Sequence, residues 1–305
     1  ALPETLPDYF LERYKLIARR DALHSIHFPE TQRELDQATR RLKFEELFLL
    51  QLRLLHLRSR RKVASKGFIF EKIGDYFNVF YKEKLPFQLT NAQKRVLKEI
   101  RNDVLTGKHM NRLVQGDVGS GKTVVALMTM LMALDNGFQA CLMAPTEILA
   151  RQHYEGISAL TADLRVNIGF LSGTVKGKKR DALLQELAEG RLHIVIGTHA
   201  LIEDWVVFHN LGITIIDEQH RFGVEQRARL WRKNPVAPPH VLVMTATPIP
   251  RTLAMTLYGD LEISVIDELP PGRKPVTTTH KNEHHRLRVQ GFMREEIAKG
   301  RQVYV

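Results

Sequence analysis

The chain has 305 residues, a single cysteine and a formal net charge of +11, a length that holds one large domain with a smaller one, or two modest domains. The lone Cys141 excludes an intramolecular disulfide, no apolar stretch approaches the ~20 residues of a membrane-spanning helix, and Ala1-Leu2-Pro3-Glu4 does not read as a signal peptide. A soluble protein of a reducing, cytoplasmic compartment with no membrane partner is therefore expected, and the positive charge favours a polyanionic partner through counterion release.

Residues 1–83 read as a helical region. Leu6-Pro7-Asp8-Tyr9 and His27-Phe28-Pro29-Glu30 look like helix entries, with proline marking the breaks. Residues 31–62 contain neither Gly nor Pro, and Leu35, Ala38, Leu42, Leu49 and Leu52 recur at helical spacing. Between Leu47 and Leu57 nearly every position is apolar, leaving Arg53, His56 and Arg60 as a narrow polar stripe, which predicts a helix packed on more than one side. The basic run Arg58-Ser59-Arg60-Arg61-Lys62 suits a helix C-terminus; a solvated end is the plainer reading and a nucleic-acid contact the other.

From Leu85 onward short apolar or β-branched runs alternate with helical segments, the pattern of an α/β domain with a parallel sheet. Strands are predicted at 112–115, 139–144, 166–171, 193–197, 213–217, 241–245 and 263–266. Leu269-Pro270-Pro271-Gly272-Arg273-Lys274-Pro275 reads as an interdomain linker. One helical stretch follows at 283–299. Arg301-Gln302-Val303-Tyr304-Val305 then begins like a strand and breaks off, so residues 268–305 are expected to be a linker and the start of a further domain.

Gly116-Asp117-Val118-Gly119-Ser120-Gly121-Lys122-Thr123 matches the phosphate-loop pattern of two glycines, four residues between them, then Lys and Ser or Thr. Glycines let backbone N–H groups curl around phosphate oxygens, and a helix opening at Lys122 aims its positive end at the anion. Lys122 is then expected to reach the β and γ phosphates of ATP, and Thr123 to supply a hydroxyl to Mg²⁺. A predicted strand precedes the motif and a helical segment with Val124, Val125, Leu127 and Met128 follows it, as the motif requires.

Ile213-Thr214-Ile215-Ile216-Asp217-Glu218-Gln219-His220 places two carboxylates at the C-terminal end of an apolar strand, the edge where ligands bind in a parallel sheet. Asp217 suits Mg²⁺, and Glu218 suits the orientation and deprotonation of an attacking water. Met244-Thr245-Ala246-Thr247 closes another apolar strand with small hydroxyl residues.

The order of phosphate loop, Asp-Glu-x-His and Thr-Ala-Thr is that of motifs I, II and III of superfamily 2 helicases, which this sequence resembles. The likeness implies a RecA-like P-loop NTPase domain at 84–267. Ala144-Pro145-Thr146-Glu147-Ile148-Leu149-Ala150-Arg151-Gln152-His153 resembles motif Ia, and Gly197-Thr198-His199-Ala200-Leu201-Ile202 resembles motif Ib. In the superfamily these segments contact the nucleic-acid backbone, which implies that role for Thr146, Arg151, Thr198 and His199. Leu89-Thr90-Asn91-Ala92-Gln93 resembles the Q motif, so Gln93 would pair with the adenine edge and Phe87 would flank the base.

Residues 217–227 and 245–252 narrow the resemblance to the RecG family of branch-migrating helicases and its relative, the transcription-repair coupling factors. The latter usually carry Asp-Glu-Glu-Gln at motif II, so Gln219-His220 favours the former. Arg19-Arg20-Asp21-Ala22-Leu23-His24-Ser25-Ile26-His27-Phe28-Pro29 also looks like the stretch that joins that family's DNA-binding wedge domain to its motor. The resemblance implies an ATP-dependent translocase on branched duplex DNA, at forks and four-way junctions, in recombination and fork repair. It implies a wedge domain before Ala1 and a second RecA-like lobe after Val305, the latter supplying an arginine to the ATP site. Without that arginine the 305 residues alone are expected to bind ATP weakly and hydrolyse it poorly.

Two other readings stay open, a transcription-repair translocase and a nucleotide-dependent interaction module that moves nothing. A small-molecule kinase would have no use for motifs Ia, Ib and III. The basic segment from Ser172 to Arg180 reads either as a phosphate-backbone contact or as a solvated loop. His220, Thr245, Thr247 and Arg251 are the residues the resemblance places as couplers between ATP and DNA. Replacing His220 with Ala is accordingly expected to spare ATP binding while abolishing the stimulation of hydrolysis by DNA, measured as ATP turnover with and without DNA.

Overall fold

A computed structural model describes residues 2–64, 66–218, 229–230, 232–247, 261–268 and 277–305. The chain divides into two compact units, Ala1–Pro270 and Pro271–Val305.

The first unit opens with helices α1 (Asp8–Tyr14), α2 (Arg19–His27) and α3 (Gln32–Ala64). Aromatic contacts seat α1 on α3, Phe10 against Phe48 at 4.9 Å and Tyr14 against Phe44 at 5.0 Å, and an ionic knot ties α2 to α3. The Arg41 side chain on α3 is fully buried and donates from Nη1 to Glu45 Oε2 at 2.6 Å, from Nη2 to Glu4 Oε1 at 2.5 Å and from Nε to the Ile17 carbonyl at 3.1 Å. Glu4 in turn accepts the Arg19 backbone N–H at 2.7 Å, so one guanidinium ties the N-terminal segment, the start of α2 and the middle of α3. Such a buried cation holds only while its carboxylate partners stay paired with it. The apolar run on α3 is not packed on several sides as its composition predicts: Leu47 is 62% exposed and Leu52 52%, while the buried positions are Ala38, Arg41 and Glu45. Periodicity shows that a helix forms; it does not show that anything covers it.

After α4 (Asp75–Val79), which runs into a π-helical turn at Phe80–Lys84, comes the α/β core. Helices α5 (Asn91–Val104), α6 (Lys122–Leu134), α7 (Glu147–Leu160) and α8 (Lys178–Ala188) alternate with strands β1 (Asn111–Gly116), β2 (Gln139–Met143), β3 (Ile168–Leu171), β4 (Ile194–Gly197), β5 (Leu211–Asp217), β6 (His240–Thr245) and β7 (Glu262–Ile266). The strands form one sheet in the order β3-β4-β2-β5-β6-β1-β7, with every pairing parallel. All seven predicted strands are present, within two residues at each end.

Strands β2, β4 and β6 are buried at every position, because helices cover both faces of a parallel sheet. Alternate residues serve two cores: Ala140 and Leu142 of β2 join one apolar cluster with Ile100, Leu127 and Leu131, whereas Cys141 and Met143 join another with Leu187, Leu201 and Val243. Helix α6 is buried continuously from Val124 to Leu134, as befits a helix apolar on all sides and enclosed by its own domain.

Register decides where the motifs meet. Met143 pairs with Ile216, Asp217 with Met244, and Thr245 with Gln115, so β2, β5, β6 and β1 end level with one another. The segments that follow them therefore emerge along one edge of the sheet.

At the opposite end, His240 stitches the sheet to the chain entering it. Its Nδ1 accepts the Met110 N–H at 2.9 Å and its Nε2 donates to the Phe68 carbonyl at 2.8 Å, which fixes the Nε2–H tautomer. In the second unit a 3₁₀ turn (Glu283–His285) leads into α9 (Arg286–Ala298), close to the predicted helix. Residues 301–305, predicted to begin a strand, are irregular; a strand needs a ladder partner, and these residues have none among the described residues.

Acid is expected to loosen the first unit in two windows. Burial pushes His240 down from 6.5 to about 4, against the opposing pull of its bond to Phe68. Its neutral form is thus fully favourable above pH 6.5, and that contribution is lost as pH falls toward 4, by on the order of 3 kcal/mol. For Glu4, burial favours the neutral acid, but three backbone N–H donors and Arg41 outweigh it and bring the carboxyl from 4.5 to about 2, so its contribution is lost between those values. Urea unfolding from pH 7 to 3 should show both losses, and His240→Asn, which keeps an acceptor for Met110, should flatten the first.

Candidate active site

The phosphate loop leaves β1 at Gly116 and enters α6 at Lys122. Gly119 and Gly121 hold φ of 77° and 87°, a left-handed backbone that suits glycine. Gly121 is constrained twice over, because a Cβ there would lie 2.2 Å from Gln93 Nε2. The start of α6 carries no side-chain cap, which leaves its first N–H groups to be satisfied by something other than a side chain.

Lys122 Nζ folds over the loop and donates to the carbonyls of Gly116, at 2.6 Å, and Asp117, at 2.9 Å. Burial pushes its pKa down, while Asp217, Glu218 and Asp117 pull it back up, so the ammonium stands in the field of the acidic pair. Beside it the buried Ser120 hydroxyl has no hydrogen-bond partner among the described residues. A helix start with no side-chain cap, an orphaned hydroxyl and a lysine resting on loop carbonyls fit a polyphosphate. Thr123 is half-buried at the first turn of α6, and Asp117, exposed, turns its own Oδ1 to the Val118 N–H at 2.7 Å.

The acidic pair sits at the end of β5. Glu218 takes a left-handed backbone, φ 50°, unusual for a residue with a Cβ. Bonds to the β6 segment hold that turn: the Glu218 N–H donates to the Met244 carbonyl at 3.0 Å, its Oε1 accepts the Ala246 N–H at 3.0 Å, and its Oε2 accepts the Thr245 hydroxyl at 3.5 Å. Thr245 and Thr247 share a hydroxyl bond of 2.8 Å alongside. Asp217 faces the other way, its Oδ2 accepting from His153 Nε2 on α7 at 2.7 Å. Among the described residues no three His, Cys, Asp or Glu side chains form a metal cage, so a cation here would use Thr123, Asp217 and the phosphates themselves.

Gln93 lies between the start of α5 and the phosphate loop. It is 1% exposed, accepts the Thr90 N–H on Oε1 at 2.9 Å in a capping box that starts α5, and donates from Nε2 to the Ser120 carbonyl at 2.8 Å. In this arrangement the amide supports the phosphate loop and shows no open edge to a base. Phe87, 44% exposed, is available to stack on one.

Of the residues assigned to nucleic acid, three stand where they can reach a ligand. Thr146 caps α7 through the Leu149 N–H at 3.3 Å, Arg151 lies over the Phe170 ring at 4.7 Å with its charge partly open, and His199 is exposed at the start of a 3₁₀ turn (His199–Ile202). Thr198 is 5% exposed beside the exposed His199, and its backbone N–H is bonded to the Leu171 carbonyl. In the basic segment, Thr174 Oγ1 donates to Glu147 Oε1 at 2.7 Å and Arg180 lies over the Trp205 ring at 5.1 Å. His220 and Arg251 lie outside the described residues, as does the predicted linker at 269–275. Sequence reasoning did not find the contact of His153; its place in the motif Ia stretch is visible in the sequence, its partner 64 residues away is not.

A parallel sheet whose carboxyl edge gathers a phosphate loop, an Asp-Glu pair and a hydroxyl turn is the RecA-like fold of P-loop NTPase motors. The chain belongs to the DEAD/DEAH box helicase family, whose model matches residues 90–256. It is 49% identical over 304 residues to the ATP-dependent DNA helicase RecG of Synechocystis sp. and 47% identical to that of Streptococcus pneumoniae, in both cases over its whole length. It spans 36% and 45% of the length of those two relatives. Among solved structures, RecG bound to a three-way DNA junction superposes with a TM-score of 0.82 at 43% identity, covering 98% of this chain and 40% of that one. The DUF1998 helicase MrfA bound to DNA and AMPPNP, at TM-score 0.54 and 17% identity over 77% of this chain and 36% of its own, shares the fold.

The bracing position of Gln93 predicts that Gln93→Ala lowers affinity for ATP and GTP alike, by about tenfold for the lost loop contacts, and leaves their ratio unchanged. Competition titration against a fluorescent nucleotide reads both numbers. A fall confined to ATP would return Gln93 to base reading.

Proposed function

We propose that this chain carries the ATP-hydrolysing lobe of a DNA translocase that works on branched duplex DNA, at forks and four-way junctions, in recombination and fork repair. The observation that carries the reading is the tie between Glu218 and the Ala246 N–H at 3.0 Å, which joins the hydrolytic carboxylate to the hydroxyl turn expected to sense the DNA side. The RecG complex with a three-way junction supports the choice of substrate.

In this reading Gly116, Asp117, Gly119, Ser120 and Gly121 form the phosphate cradle, and Lys122 neutralises the phosphates. Thr123 and Asp217 hold Mg²⁺, which supplies charge neutralisation at the phosphate oxygens when bound. Glu218 orients the attacking water and takes its proton. Thr245 and Thr247, with His220 and Arg251, pass the nucleotide state to the DNA side; Thr146, Arg151 and His199 meet the phosphate backbone, with Thr198 shaping the turn beneath His199. Residues 1–83 serve as a helical bridge, 84–267 as the first RecA-like lobe, and 268–305 as the linker and beginning of the second. The setting is cytoplasmic.

ATP hydrolysis by the full-length protein on forked, plain duplex and single-stranded DNA, compared in parallel, tests the reading. Forked DNA should stimulate most, and equal rates on all three would sink it. Glu218→Gln should keep ATP binding and lower turnover by about 10² to 10⁴-fold, the usual worth of a general base.

A further inference from the structure

We infer that His153 is a positioning residue for Asp217, and that it makes helix α7 a second mechanical link between the nucleic-acid face and the metal-holding carboxylate. The inference rests on the nucleotide site proposed above.

The contact is close and sheltered. His153 Nε2 lies 2.7 Å from Asp217 Oδ2, and each side chain is 13% exposed. A carboxylate only accepts, so the imidazole donates its N–H and occupies one oxygen of Asp217, leaving Oδ1 directed elsewhere. A carboxylate that binds a cation through few contacts depends on such an outer partner to hold its orientation.

The placement gives the contact its consequence. Helix α7 follows β2, the neighbour of β5, and its N-terminus is fixed by the Thr146 cap. Arg151 and His153 are two residues apart, ~200° around a helix, so they face opposite sides. Arg151 lies partly open over Phe170, and Glu147 bonds to Thr174 of the basic segment, while His153 turns back to the sheet edge. A shift of α7 on engaging nucleic acid therefore moves the group that orients Asp217. Glu218, one residue on, is held from the β6 side through Ala246. The two carboxylates thus answer to different elements.

The test is nucleotide binding by the full-length protein, read as the Mg²⁺ concentration that gives half of the metal-dependent gain in affinity for a fluorescent ATP analogue, with binding in EDTA as reference. His153→Ala should raise that midpoint about tenfold, the lower end of what loss of an outer-shell partner costs, and leave affinity in EDTA within about twofold of the wild type. His153→Gln, whose amide N–H reaches about as far as Nε2, should restore the midpoint; His153→Asn, too short, should not. Asn and Gln differ by one methylene, so the comparison holds even if the Ala variant fails to fold. Equal midpoints for the wild type, Asn and Gln variants would overturn the proposal, as would equal defects for Asn and Gln. Nucleotide binding that survives Lys122→Ala would instead overturn the phosphate-site reading, and the proposal with it.

Discussion

Strand β5 has a neighbour on each side, and the arrangement of the site follows from that. Because β2, β5 and β6 run parallel in level register, Asp217 and Glu218 emerge between the segment that follows β2 and the segment that follows β6. Each carboxylate finds its partner on a different flank, Asp217 in His153 and Glu218 in the Ala246 N–H. The left-handed backbone at Glu218 makes the divergence possible, since an extended residue there would continue the strand rather than turn toward β6. The edge therefore holds two adjacent acids in two distinct environments.

The phosphate loop depends on the same edge. Lys122 sits in the combined field of Asp217, Glu218 and Asp117, which opposes, without overcoming, the effect of burial on its ammonium. Gln93 presses on the loop from α5, so that a Cβ at position 121 would displace its amide, and the left-handed backbone there favours glycine in any case. Helix α5 is thereby coupled to the loop through its own capping box: the amide that starts the helix is the amide that braces Ser120. A change at either end is felt at the other, because Thr90, Gln93 and Ser120 share one chain of hydrogen bonds.

The helical region is stabilised on a different principle. Arg41 is buried among carboxylates, while Leu47, Leu49, Leu50, Leu52 and Leu55 of α3 lie open. Burial of a charge gives up solvation that only well-placed partners offset, so such a knot specifies one arrangement of α2 against α3 more than it adds stability. Composition alone points to the leucines as the packing surface. The charged residues between them are what the fold encloses.

Much of this was legible in the sequence. Strands buried on both faces are continuous apolar runs, so all seven could be read, and a phosphate loop is a local motif whose glycines, lysine and threonine act within eight consecutive residues. Family and fold followed from motif order. Tertiary structure alone decided what depends on partners distant in the chain: that Gln93 braces Ser120, that Thr198 is buried beside an outward His199, that His153 reaches Asp217 across 64 residues, that Leu47, Leu49 and Leu52 of α3 stay uncovered, and that residues 301–305 form no strand. The physical reason is the same throughout. Local pattern sets backbone preference and the face a residue occupies, whereas the occupant of the opposite face is set by strand order and register, which no single segment encodes.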